Sequence, residues 1–164
     1  MDIKELKPTS IWHYFDVITG VPRPSKKEER IREFLLNFAK EQNLEVKVDK
    51  TGNVVITKEA TPGCEGAPTV ILQAHMDMVC EKNGDVKHDF ERDPIETYID
   101  GEWVKARGTT LGADNGIGMA AAMAVLADKE LKHGRIQALF TVDEETGLTG
   151  AFGLESGMID GKYL

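Results

Sequence analysis

Two short runs constrain the fold of this chain more than anything else in it. Residues 69–75 (TVILQAH) and 135–142 (RIQALFTV) are almost continuously apolar. That pattern belongs to strands buried on both faces of a sheet, not to strands with one wet face. Each run ends in residues that do not suit a core: His75-Met76-Asp77 after the first and Glu144-Glu145 after the second. Buried strands need helices to cover them, and the chain supplies candidates. Ser10 can cap a helix over 11–18 that ends at Gly20, and Ser25 can open another over 26–42 with Ile31, Phe34, Leu35 and Phe38 on one face. Residues 115–128 form a third, rich in Ala and Met. Residues 45–49 and 54–58, joined by Thr51-Gly52-Asn53, read as a hairpin, as do 97–106 around Asp100-Gly101. The stretch 59–68 is a loop, and Gly147 and Gly150 break the second strand after the glutamates that end it. This order of elements makes an α/β sandwich with a mixed sheet.

Composition narrows the function classes. The 164 residues suit one domain, with no internal repeat or interdomain linker. A net charge of -8 and a pI near 5.0 exclude the broad basic surface that nucleic acid or an anionic membrane would require. No apolar run approaches the ~20 residues of a membrane span, and the opening MDIKELKPTS does not read as a secretory signal. Cys64 and Cys80 are not needed as a disulfide in a chain of this size. The cytoplasm is therefore the expected compartment.

In open α/β sheets ligands bind beyond the carboxyl ends of the strands, and three polar groups fall there or at a helix start. His75 and Asp77 project to the same side by strand alternation. Asp77 can fix the imidazole tautomer as it does for metal-bound histidines, or the two can simply form a strand-end hydrogen bond. Asp114, in Gly112-Ala113-Asp114-Asn115-Gly116, precedes the Ala-rich helix. It can be an N-cap, or a carboxylate that bridges two cations. Glu144-Glu145 can be a solvated acidic turn, but adjacent carboxylates after an apolar strand repel unless a cation or proton separates their roles. Together the three groups point to a metal centre. Imidazole and carboxylate donors without thiolate suit zinc, with manganese or cobalt as alternatives. His13, His88 and His133 read as surface or packing residues, and Cys80 has no cysteine partner for a zinc finger.

The runs LQAHMDMV, DGEWVKARGTTLGADNGIGMA and TVDEETGLTGAFGL resemble the aminoacyl-histidine dipeptidases, also called peptidase D or cytosol nonspecific dipeptidases. These belong to the carnosinase and aminoacylase-like dizinc peptidases. The resemblance implies a three-layer sandwich with a mixed, mainly parallel sheet of the dizinc exopeptidase kind. It implies that His75 ligates one zinc with Asp77 orienting it, that Asp114 bridges two zinc ions and is joined to Asn115 by a cis peptide, that Glu145 ligates the second zinc and that Glu144 is the general base. The implied reaction is hydrolysis of unblocked dipeptides, Xaa-His among them, by a metal-activated water. The resemblance also implies a homodimer, a lid domain, a further ligating Asp and a final His that the 164 residues lack. On that reading residues 1–164 are the amino-terminal portion of a catalytic domain, truncated and expected to fold at least partly but to be inactive alone. Two other readings stay open: a related aminoacylase or tripeptidase, and a non-catalytic metal-binding domain.

Overall fold

A computed structural model describes residues 2–164. Six strands form, β1 (Glu45–Val48), β2 (Val54–Lys58), β3 (Val70–His75), β4 (Thr97–Asp100), β5 (Trp103–Ala106) and β6 (Ile136–Thr141). β4 and β5 make a separate two-stranded hairpin, and the other four make one sheet in the order β1-β2-β6-β3. The α/β class and the mixed sheet are as expected. Within the described residues, however, only β3 and β6 pair in parallel, while β1–β2 and β2–β6 are antiparallel. The parallel register sets His75 beside Thr141. Both strands therefore end level, and the residues after them leave from one edge.

The two apolar runs take different places. β6 lies between β2 and β3, and all six of its residues are buried. β3 has β6 on one side only, and the chain touches its other side just at the start, where Ile71 N donates to Tyr163 O at 2.7 Å. Val70 and Gln73 are exposed as a result. Burial on both faces is therefore correct for β6 and incorrect for β3, because an edge strand lacks a second neighbour.

α1 (Thr9–Thr19), α2 (Glu29–Glu41) and α3 (Ala113–Ala127) share one core on one face of the sheet. Phe15 and Ile18 of α1, Ile31 and Leu35 of α2, and Met119, Met123 and Leu126 of α3 meet Ala138 and Phe140 of β6 there. Each fully buried large side chain contributes about 1.5–3 kcal/mol. The opposite face is covered more thinly, by Leu154, Met158 and Ile159 over Val55, Ile71 and Leu139.

Local boundaries differ from the sequence reading at the helix starts. α1 begins at Thr9 after Pro8, so Ser10 lies inside the first turn and is not the cap. α2 is preceded by Glu28 and not by Ser25. In α3, Asp114 and Asn115 have non-helical backbone angles and no side chain caps the helix, so Asp114 is not a helix cap. β6 ends at Thr141, before the glutamates, and Gly150 is buried in the short helix α4 (Thr149–Phe152).

Candidate metal centre

The exit of β3 is the buried half of the site. His75 is 4% exposed. Its Nδ1 lies 3.1 Å from Asp77 O and 3.4 Å from Asp77 Oδ1. Its Nε2 lies 2.9 Å from Asp114 Oδ1 and 3.8 Å from Glu144 Oε2. Asp77 is fully buried and does more than face the imidazole. Its Oδ1 accepts from Glu144 N at 3.0 Å, and its Oδ2 accepts from Glu145 N at 3.2 Å and from Ser25 Oγ at 2.7 Å. Burial alone pushes the Asp77 carboxyl up, but His75, the Glu144 amide, Ser25 and the Glu145 amide hold it well below the usual carboxylate range.

The exposed half comes from α3 and from the turn after β6. Gly112 takes a left-handed conformation that turns the chain into α3, and the Asp114–Asn115 peptide is cis. The Asp114 side chain is 85% exposed. After β6, Asp143 is buried in a left-handed conformation with its carboxylate accepting from Thr146 Oγ1 and Thr149 Oγ1, each at 2.6 Å. Asn53 fastens both ends of this turn, accepting from Val142 N at 3.1 Å and donating to Gly150 O at 2.8 Å. Glu144 and Glu145 are thus presented half-buried on a braced turn.

The sequence-predicted residues converge. Donor atoms of His75, Asp114 and Glu145 all lie within 4.8 Å of one another, and Asp77 and Glu144 adjoin them through the contacts above. A cleft of about 440 Å³ opens there, lined by His75, Asp114 and Glu144 and by the apolar side chains of Leu148, Leu154 and Ile159. Charges are poorly balanced in this cluster. Burial opposes charging His75, yet the hydrogen bonds to Asp77 and Asp114 and the charges of Asp77 and Glu144 outweigh it and carry its pKa to about 9. Burial raises the Glu145 carboxyl, and the charges of Asp114, Glu144 and Asp77 add to this against the pull of His75. A cation at this point would relieve the carboxylate repulsion and displace the imidazole proton.

Residues set aside earlier stay apart from this cluster. His13 packs edge-on against Tyr14, His88 against Phe90, and His133 Nδ1 faces Gly134 O. Cys80 Sγ donates to Met78 O at 3.5 Å. Sequence reasoning missed Arg23, Ser25, Glu28 and Asn53, all of which brace the site through hydrogen bonds. Ser25 reads as a helix cap and Asn53 as a turn residue, and no local pattern marks Arg23 or Glu28.

Residues 71–163, which carry all five site positions, match the model of Peptidase family M20/M25/M40. The chain belongs to that family. Among M20/M25/M40 relatives, it is 51% identical over 163 residues to the cytosol non-specific dipeptidase of Escherichia coli, covering 99% of this chain and 34% of that protein. The crystal structure of aminoacylhistidine dipeptidase from Vibrio alginolyticus superposes with a TM-score of 0.96 at 57% identity, over 98% of this chain and 33% of that one. A Staphylococcus aureus tripeptidase gives 0.77 at 26% identity, over 93% of this chain and 41% of that one. The chain spans about a third of the length of the two dipeptidases. No described helix is long and apolar enough to cross a membrane.

Proposed function

We propose that this chain forms the amino-terminal portion of the catalytic domain of a metal-dependent dipeptidase, in which His75, Asp114 and Glu145 hold two divalent cations. The observation that carries this reading is the convergence of an imidazole and two carboxylates within 4.8 Å, with Glu144 beside them. The donors are nitrogen and oxygen without thiolate, which fits zinc first, then manganese or cobalt. Such cations lower the pKa of a bound water and polarise a scissile carbonyl.

The chain's own residues divide the remaining work. Asp114, with its side chain 85% exposed, would offer its carboxylate to both cations. His75 and Glu145 would each hold one cation, and Asp77 keeps the imidazole Nδ1 engaged so that Nε2 faces outward. Glu144 stays off the cations, takes a proton from the attacking water and returns it to the leaving amine. The substrate is an unblocked dipeptide, Xaa-His among those accepted, and the compartment is the cytoplasm; the names and sequences of the two dipeptidases support both. Within these residues each cation would have two protein donors, fewer than the three typical of catalytic zinc, so this stretch alone is expected to bind cations weakly.

Metal analysis and dipeptide assays on the 164-residue chain and on an enzyme of the relatives' length that carries it test the reading. Zinc uptake in the longer protein with hydrolysis of a Xaa-His dipeptide supports it. A longer protein that binds no divalent cation, or hydrolyses dipeptides equally well after exhaustive chelation, overturns it.

A further inference from the structure

The segment 23–28 takes no part in the chemistry above, yet it reaches every stretch that carries a site residue. Arg23 is 2% exposed. Its Nη1 donates to Met76 O and Asp77 O at 3.1 Å each, and its Nη2 donates to Gly112 O. Arg23 O accepts from Met78 N at 3.1 Å, and Pro24 forms a parallel bridge with Met78. Ser25 Oγ donates to Asp77 Oδ2 at 2.7 Å. Glu28, also buried, accepts through Oε1 from Lys26 N at 2.7 Å and from Asp143 N at 3.0 Å. Six residues thus tie together the exit of β3, the start of α3 and the turn after β6.

The guanidinium is bonded to main-chain carbonyls alone. A buried cation in that setting costs stability unless its geometry is needed. Space is reserved for it: a Cβ on Gly112 would lie 2.5 Å from Arg23 Nη2, and one on Gly116 2.7 Å from the same atom. Among the described residues four non-glycine positions are left-handed, and Lys26, Asp143 and Leu148 are three of them. Backbone strain of this kind persists only where surrounding contacts over-determine it.

We propose that Arg23, with Ser25 and Glu28, is the positioning device of the metal centre, a role that rests on the metal reading above. The planar fork of Arg23 fixes the separation of the β3 exit from the start of α3, and so the 2.9 Å approach of His75 Nε2 to Asp114 Oδ1. A lysine offers donors from a single point and cannot span carbonyls on both segments in the same way.

Cobalt titration of the 164-residue chain, followed by visible absorption, tests this with Arg23→Met, Arg23→Lys and Ser25→Ala, each also melted thermally. Phe38→Leu in α2 serves as a control that loosens the core away from the site. Loss of a group that orients metal ligands lowers affinity by about 10–100-fold, so Arg23→Met should bind cobalt at least about tenfold more weakly with an altered spectrum. Arg23→Lys should recover part of that loss, and Phe38→Leu should melt earlier with its cobalt affinity intact. A folded Arg23→Met chain with wild-type affinity and spectrum overturns the proposal, as does an equal loss in Phe38→Leu. Should Arg23→Met not fold, wild-type affinity in both Arg23→Lys and Ser25→Ala overturns it. Where the wild-type chain takes up too little cobalt to titrate, as two protein donors per cation allow, the metal reading is decided on the longer protein. Amide exchange at Glu144 and Glu145 then still decides the positioning role: faster exchange in Arg23→Lys than in Phe38→Leu supports it, and no difference overturns it.

Discussion

β6 and β3 carry similar apolar sequences, run in parallel and end level, yet they do different work. β6 is a central strand with every residue buried, and it ends in two half-exposed glutamates on a braced turn. β3 is an edge strand with Val70 and Gln73 exposed and Leu72 half-buried, and it ends in a histidine and an aspartate that are almost wholly buried. The core strand delivers the exposed groups, and the edge strand delivers the buried ones. Burial of a site residue is therefore set by what packs over the strand's exit, here Arg23, Ser25 and Glu28, and not by the burial of the strand itself.

The contrast breaks most easily at the two strand ends. On the proposed reading, in an enzyme of the relatives' length, Glu144→Gln should lower kcat by about 10²–10⁴-fold with metal content unchanged, because it would remove a proton acceptor and leave the proposed cation donors in place. His75→Ala should instead lose metal. Parallel kinetics and metal analysis check this, and an unchanged kcat in Glu144→Gln would falsify the division of roles. Within the strands, Phe140→Ala in β6 should cost about 3–5 kcal/mol, as expected when a large aromatic leaves a packed core. Leu72→Ala in β3, only partly buried, should cost less than about 2 kcal/mol by the same reasoning. Urea denaturation compares them, and equal costs would erase the distinction between centre and edge.

A third expectation concerns the buried histidine. With its pKa near 9, His75 carries a proton at pH 7 that a cation must displace. Acid therefore weakens binding, by up to about tenfold per pH unit below 9, and the dependence flattens above 9. Calorimetry in buffers of different ionisation enthalpy should show close to one proton released at pH 7, and none released would show that His75 gives up no proton to the cation. The smallest effect is in the backbone. Ile71 N points away from β6 to Tyr163, and by alternation Gln73 N points the same way, where no described strand pairs with it. Gln73 should exchange its amide proton well before Ala74, which faces β6; equal protection would place another partner on that edge.

Much of the site was legible because its signals are local. Residue type and alternation place His75 with Asp77, and the glycines around Asp114 mark a turn into a helix. The paired glutamates stand out after an apolar run. The bracing was not legible, since Arg23 reaches 53, 54 and 89 residues along the chain and Glu28 reaches 115. Ser25 looks like a helix cap in sequence because a serine before an apolar-periodic run commonly is one; the structure sends its hydroxyl to Asp77 instead.

What the sequence determined by itself is which strands exist and which chemical groups stand at their ends, because side-chain period and residue type act over a few neighbouring positions. Only the tertiary structure decided that β6 is central and β3 is an edge, and that Asp77 braces Glu144 and Glu145 as well as His75. Strand order and buried hydrogen bonds depend on segments far apart in the chain, and the free energy of placing each is settled only when all of them are packed together.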